Sequence, residues 1–233
     1  MEFVNRENEI LHMLSKLAEK EADFVVVGGY AVSGLGKHRF SVDCDLVISN
    51  SELQEIDELL KKSSYERDIE KKGFDETYSG EFIRYKKKVG GLPVTFDLLV
   101  ESLTCRTTGA SWSFEYIKKH SIEISIGGIE NTVKSSVPER ELMIAFKIHS
   151  GRRTDVRDIV MLMENSEVKK ILAHLRRGNV EVLKRQISDI TGMLNDEKLV
   201  DSLKGVFNLT SDVQKQIVDA RKIIQNLSMK LRE

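Results

Sequence analysis

Two aspartates stand one residue apart, Asp43 and Asp45, in the strand-like run SVDCDLVI, and a third, Asp97, interrupts the apolar run VTFDLLV. A carboxylate inside an apolar strand carries a desolvation cost of several kcal/mol unless a partner offsets it. A bound divalent cation is one such partner. Strand side chains alternate faces, so residues i and i+2 project together: Asp43 and Asp45 aim at one point while Cys44 faces the opposite layer. That is the geometry of a shared metal site. The alternative is structural, with one aspartate ending a strand and another paired with an arginine.

Positioning such a site requires strands, turns and a covering layer, and the surrounding sequence supplies them. The segment Asn5 to Glu19 sets Ile10, Leu11, Leu14 and Leu17 at helical spacing, with Asn5 as the expected cap. DFVVVGG follows, a short β-branched run closed by Gly28 and Gly29, which reads as a buried strand entering a tight turn. Ala31 to Gly36 predicts a short helix, VDCDLVI a second strand, and Ser51 with Gln54 a capping box opening a helix over Glu52 to Lys62. The pattern then changes to strands: YERDIEKK, EFIRYKKK, a Gly90-Gly91 hairpin turn, and PVTFDLLV. A second hairpin, IEISI and ENTV, is expected around Gly127-Gly128. Pro138 is placed in the first turn of a helix running to Gly151, and TDVRDIVMLM begins another. From Ser166 the chain reads as helical, with breaks near Gly178, Asn195 and Asn208. Ser211 is the expected cap of a last helix with Val213, Ile217, Ala220, Ile224 and Leu227 on one stripe.

At 233 residues and 40% apolar content the chain holds a normal core. A net charge of −1 gives no global pull toward nucleic acid or anionic membrane, so any polyanion site must be local. The opening MEFVNRENEI has no apolar core of a signal peptide, and no apolar run approaches the roughly 18 residues of a spanning helix, so a cytoplasmic protein without membrane partners is expected. The two cysteines, Cys44 and Cys105, lack zinc-like spacing and read as reduced thiols.

The run GGYAVSGLGKHRFSVDCDLVI resembles the signature of the nucleotidyltransferase superfamily related to DNA polymerase β, and within it the AbiEii-type toxins and minimal nucleotidyltransferases. In that group a strand ends in Gly-Gly, a short helix follows, and the series R-x-[ST]-x-D-x-D-L carries the metal ligands; the corresponding residues here are Arg39, Ser41, Asp43, Asp45 and Leu46. The likeness extends through Asp97 to LMIAFKIHSGRRTDVRDIVML, similar to the family's lysine-arginine-aspartate block. It covers about Phe24 to Leu162 and leaves the last helices outside.

The resemblance implies an α+β protein, with an N-terminal mixed-sheet nucleotidyltransferase domain over 1–136 and a C-terminal helical bundle over 137–233 that completes the nucleotide cleft. It implies magnesium-dependent transfer of a nucleoside monophosphate from a nucleoside triphosphate (NTP) to a hydroxyl, with two Mg2+ ions about 3.5–4 Å apart neutralising the developing charge. Asp43 and Asp45 would bridge both ions; Asp97 would complete the ion beside the acceptor and take its proton. Gly28 and Gly29 let backbone approach a phosphate, with free amides at the next helix N-terminus. Ser33, Ser41 and the guanidinium of Arg39 join the nucleotide set, as do Lys147, Arg153 and Asp158, the last orienting Lys147. RNA, in particular a tRNA 3′ end, is one acceptor class; a protein hydroxyl or an aminoglycoside-like small molecule is another. An antitoxin protein is an expected partner. Two different readings stay open: a module that binds nucleotide, or is held by an antitoxin, without turnover, and a helical interaction module. Arg84, Lys86, Lys87 and Lys88 are expected to alternate toward solvent, with an RNA-facing stripe as the alternative. Trp112 and Phe114 are expected to pack, and His38 to lie in a surface loop.

Overall fold

The computed structural model describes residues 2–75 and 77–231, with the side chain of Phe74 left aside. It divides into two compact units. One comprises Met1–Thr104 and Trp112–Pro138, the other Cys105–Ser111 and Glu139–Glu233.

The first unit opens with α1 (Glu2–Glu19), β1 (Phe24–Val27), α2 (Gly28–Leu35), β2 (Asp43–Ile48) and α3 (Leu53–Lys62), followed by β3 (Glu66–Asp75), β4 (Gly80–Val89) and β5 (Leu92–Val100). The five strands form one mixed sheet in the order β1-β2-β5-β4-β3. Neighbours run antiparallel except β2 and β5, which run parallel. One face carries Cys44, Leu46, Ile48, Ile83, Tyr85, Val94, Phe96 and Leu98, all buried. The helices α1 and α3 cover this face: Lys87 reaches Glu9 of α1 at 2.8 Å, and the Tyr85 hydroxyl donates to Asp57 of α3. The period-2 alternation of β2 and β5 thereby sends the apolar set into the core and the aspartates to the other face. After β6 (Ser102–Cys105), β7 (Ala110–Ser113) and α4 (Phe114–Lys119), the pair β8 (Ser121–Gly127) and β9 (Thr132–Pro138) forms the expected second hairpin. Trp112 and Phe114 are buried.

The second unit is helical: α5 (Arg140–Ser150), α6 (Arg153–Leu162), α7 (Val168–Leu175), α8 (Val180–Met193), α9 (Leu199–Phe207) and α10 (Gln214–Lys230). Every residue of α5 from Glu141 to His149 is buried, so it is the unit's central helix. Ile217, Ala220, Ile224 and Leu227 of α10 form the buried stripe expected from their spacing. The 105–111 segment is tied to these helices through backbone: Asn179 N donates to Thr108 O at 2.7 Å, and Arg177 donates to Ser111 O at 3.1 Å. Among the described residues no helix is long and apolar enough to cross a membrane.

Four local expectations are corrected. Asn5 does not cap α1, which begins at Glu2, where a carboxylate in the first turn favours the helix N-terminus. Ser51 and Gln54 form no capping box: Ser51 Oγ pairs with Ser49 Oγ at 2.6 Å and Gln54 reaches Glu58 at 3.2 Å, one helical turn on. Pro138 ends β9 opposite Ser121 instead of starting a helix, a place at a strand end where its missing N–H is tolerated. Ser211 does not cap α10; the Asp212 carboxylate accepts from Gln214 N at 3.0 Å.

Candidate active site

The parallel ladder between β2 and β5 sets Asp45 directly opposite Asp97 and Asp43 opposite Thr95. Residues in register on neighbouring strands project from the same face about 5 Å apart. All three aspartates therefore share the sheet face away from α1 and α3. Asp43 is exposed, Asp45 half-buried, and Asp97 buried at 5% exposure. Beneath them the fully buried Cys44 thiol is pushed well up, first by burial and then by Asp45, Asp97 and Asp43.

The glycine pair is fitted to this cluster. Gly28 has φ +66°, and a Cβ there would lie 2.0 Å from Asp45 Oδ2. At Gly29 a Cβ would meet Ser41 Oγ at 2.8 Å and an Arg39 guanidinium nitrogen at 3.1 Å. Arg39, Ser41 and Asp45 thus crowd against the first turn of α2, and only residues without side chains leave them room. Both glycines are part of that helix, which starts three residues earlier than the sequence suggested.

The loop between α2 and β2 is pinned through its backbone. Ser33 Oγ donates to Arg39 O at 3.1 Å and accepts from Arg39 N at 3.2 Å. The Tyr30 hydroxyl donates to Ser41 O at 3.0 Å, and Ser41 Oγ donates to Asp43 O at 3.2 Å. Burial is the main reason the Tyr30 phenol is pushed up, so it stays a donor. His38 Nε2 lies 2.6 Å from the buried Glu7, whose second oxygen accepts from Ile129 N at 2.7 Å. Ser33 is therefore a clamp on the Arg39 loop.

Arg84 was expected to face solvent and instead joins the carboxylates. It is the cross-strand partner of Asp97, with Nε donating to Oδ1 at 2.7 Å and Nη2 to Oδ2 at 2.6 Å. Asp97 holds its guanidinium firmly protonated. The sequence contained the signal. Counting outward from the two-residue Gly90-Gly91 turn, Val89 pairs with Leu92 and Arg84 falls opposite Asp97.

In the second unit Lys147 is buried between two carboxylates, 3.0 Å from Asp155 Oδ1 and 2.7 Å from Asp158 Oδ2. Asp155 also accepts from Ser150 Oγ at 2.8 Å, Arg152 Nε at 2.8 Å and Arg152 N at 3.1 Å. Burial alone would raise its pKa; Arg152, Lys147 and Ser150 more than offset that and bring it down to about 2. Arg153 is exposed and paired with Asp196. Two residues along α5 from Lys147, His149 accepts at Nδ1 from the Thr108 hydroxyl at 2.7 Å and donates from Nε2 to Leu175 O at 2.9 Å. Burial is the main cause that lowers its pKa to about 4.

Comparison with known proteins places this arrangement. Residues 12–207 match the family described as nucleotidyl transferase AbiEii toxin, type IV toxin-antitoxin system. The class of protein is thereby a nucleotidyltransferase, an enzyme of phosphorus-containing group transfer. More particularly, with well over half its length matched, the chain belongs to the AbiEii family. No curated protein matches it. Among solved structures, a candidate nucleotidyltransferase from Helicobacter pylori is 18% identical, with TM-score 0.49 over 99% of this chain and 96% of that one. JHP933 from Helicobacter pylori is 18% identical, with TM-score 0.47 over 98% and 92%. The antibiotic-resistance factor ANT(2″)-Ia is 12% identical, with TM-score 0.42 over 100% and 97%.

Proposed function

We propose that the chain moves a nucleoside monophosphate from an NTP to a hydroxyl acceptor in a magnesium-dependent reaction, with Asp43, Asp45 and Asp97 as the ion-holding carboxylates. The observation that carries this reading is the register of β2 on β5, which gathers the three side chains on one face. The donor set fits magnesium: it is oxygen-only, graded from exposed to buried, and cleared of a Cβ at Gly28. When bound, the ions supply neutralisation of the charge that builds on the phosphoryl oxygens and lower the pKa of the attacking hydroxyl. Asp43 and Asp45 would hold the ions against the reacting phosphate, and Asp97, once freed from Arg84, would complete the ion beside the acceptor and take its proton. Arg39 and the amides opening α2 take the remaining phosphate charge, on a loop held by Ser33, Tyr30 and Ser41.

For the acceptor we favour RNA at its 3′ end. On β4, Lys86 and Lys88 project from the same face as the aspartates, both exposed, and among the described residues neither has a carboxylate partner. Free cations spaced along a strand beside the site suit a phosphate backbone. Membership of a toxin family supports an antitoxin protein as the regulating partner. The test is incubation with each labelled NTP, magnesium and total cellular RNA. Label is expected in RNA with the intact protein and absent with Asp43→Ala, which should melt at the same or a higher temperature because clustered like charges repel in the metal-free protein. Equal labelling by Asp43→Ala would refute the assignment.

A further inference from the structure

On the face that carries the carboxylates, Asp45, Asp97 and Arg84 form one row across β2, β5 and β4, each the cross-strand partner of the next. Both oxygens of Asp97 are engaged by the Arg84 fork, at 2.7 and 2.6 Å. Such fork-to-fork pairs are about twice as strong as neutral hydrogen bonds. The Asp97 side chain is 6% exposed, while that of Arg84 is 35% exposed, so the guanidinium has water on one side and the carboxylate does not. A cation arriving between Asp45 and Asp97 meets a fixed positive charge one strand away and a carboxylate already bonded through two of its roughly four lone-pair positions.

We propose that Arg84 is a latch on the third carboxylate. In the cation-free protein it neutralises Asp97 and holds it, and a divalent cation joins Asp97 only by competing with the guanidinium, which swings toward its solvated side as one or both bonds open. Arg84 is a positioning residue: it sets how tightly the Asp97-dependent ion is held, and touches neither nucleotide nor acceptor. The inference rests on the reading of Asp43, Asp45 and Asp97 as cation ligands.

The test is calorimetric titration of the full-length protein with Mn2+ and with Mg2+, without nucleotide, alongside the melting temperature with and without each ion. Arg84→Gln is expected to bind the Asp97-dependent ion at least threefold more tightly and to gain more in melting temperature on adding it. Arg84→Lys keeps the charge but can occupy only one oxygen, and should fall between Arg84→Gln and the parent. In the Asp97→Asn background the Arg84→Gln change should raise ion affinity by much less, because only the loss of the nearby charge, and not the release of Asp97, then acts. Unchanged or weaker binding in Arg84→Gln, or an equally large gain in Asp97→Asn, overturns the latch while leaving the carboxylate site standing. Titrations in which Asp43→Asn binds ions as the parent does overturn the carboxylate site itself.

Discussion

Replacing Gly28 with alanine probes the tightest contact in the site. The new Cβ would start 2.0 Å from Asp45 Oδ2, whereas ordinary contact begins near 3.4 Å, so the carboxylate must withdraw by about 1.4 Å. Misplacing a reacting group by about 1 Å can lower turnover by about 10²-fold, and that is the expected loss in kcat/KM for pyrophosphate release. The φ of +66° adds a backbone cost of roughly 1–2 kcal/mol for a residue with a Cβ, which lowers the melting temperature by about 2–4 °C per kcal/mol in a chain of this size. Gly90 separates the two effects. Its φ is +59° with nothing within 4 Å of a built Cβ, so Gly90→Ala bears the strain without the collision. Gly90→Ala should lose stability and keep turnover. Parental turnover in Gly28→Ala, or an equal fall in both variants, would refute the reasoning.

Two further outcomes follow from the helical unit. His149 is held neutral at a pKa of about 4 against an ordinary 6.5, so the unfolded chain binds the extra proton first. Stability is then unaffected above about pH 6.5 and falls as pH drops toward 4, by about 2 kcal/mol between pH 7 and pH 5 from this residue alone. Urea unfolding should show that slope, and an imidazole NMR titration with its midpoint above pH 6 in the folded protein would contradict it. Lys147→Met removes the cation shared by two buried carboxylates, and breaking a buried pair in this way destabilises by roughly 3–5 kcal/mol. Adding Asp158→Asn should restore part of the loss, and a melt of Lys147→Met within a degree of the parent would show the cluster to be dispensable.

The parts of the fold legible in the sequence are those governed by side-chain period, by short β-branched runs and by glycine turns. The β2 alternation and the α10 stripe follow from side-chain spacing, while β1 follows from its short β-branched run closed by glycines and the β4–β5 hairpin from the Gly90-Gly91 turn. Caps were less legible. At Ser51 and Ser211 a nearby polar side chain offered a competing hydrogen bond, Ser49 in one case and Asp212 in the other, and local pattern does not rank such competitors. Arg84 was readable from hairpin register but its run of neighbouring lysines resembled a solvated edge. The pairing of Asp45 with Asp97 lies in a parallel ladder joining distant segments, which no local pattern encodes. The same holds for the 105–111 segment, whose attachment to the helical unit runs through backbone groups of Thr108 and Ser111.

That parallel ladder also has a bearing on synthesis. A nascent chain that has emerged only through β4 carries two of the three acidic residues and the guanidinium, but no strand to seat between them. Because β5 inserts in the middle of the sheet, with β2 on one side and β4 on the other, its arrival joins two halves that have no other shared ladder. Long-range parallel pairing forms late and slowly, so the three carboxylates come to share one face only when the central strand closes the sheet.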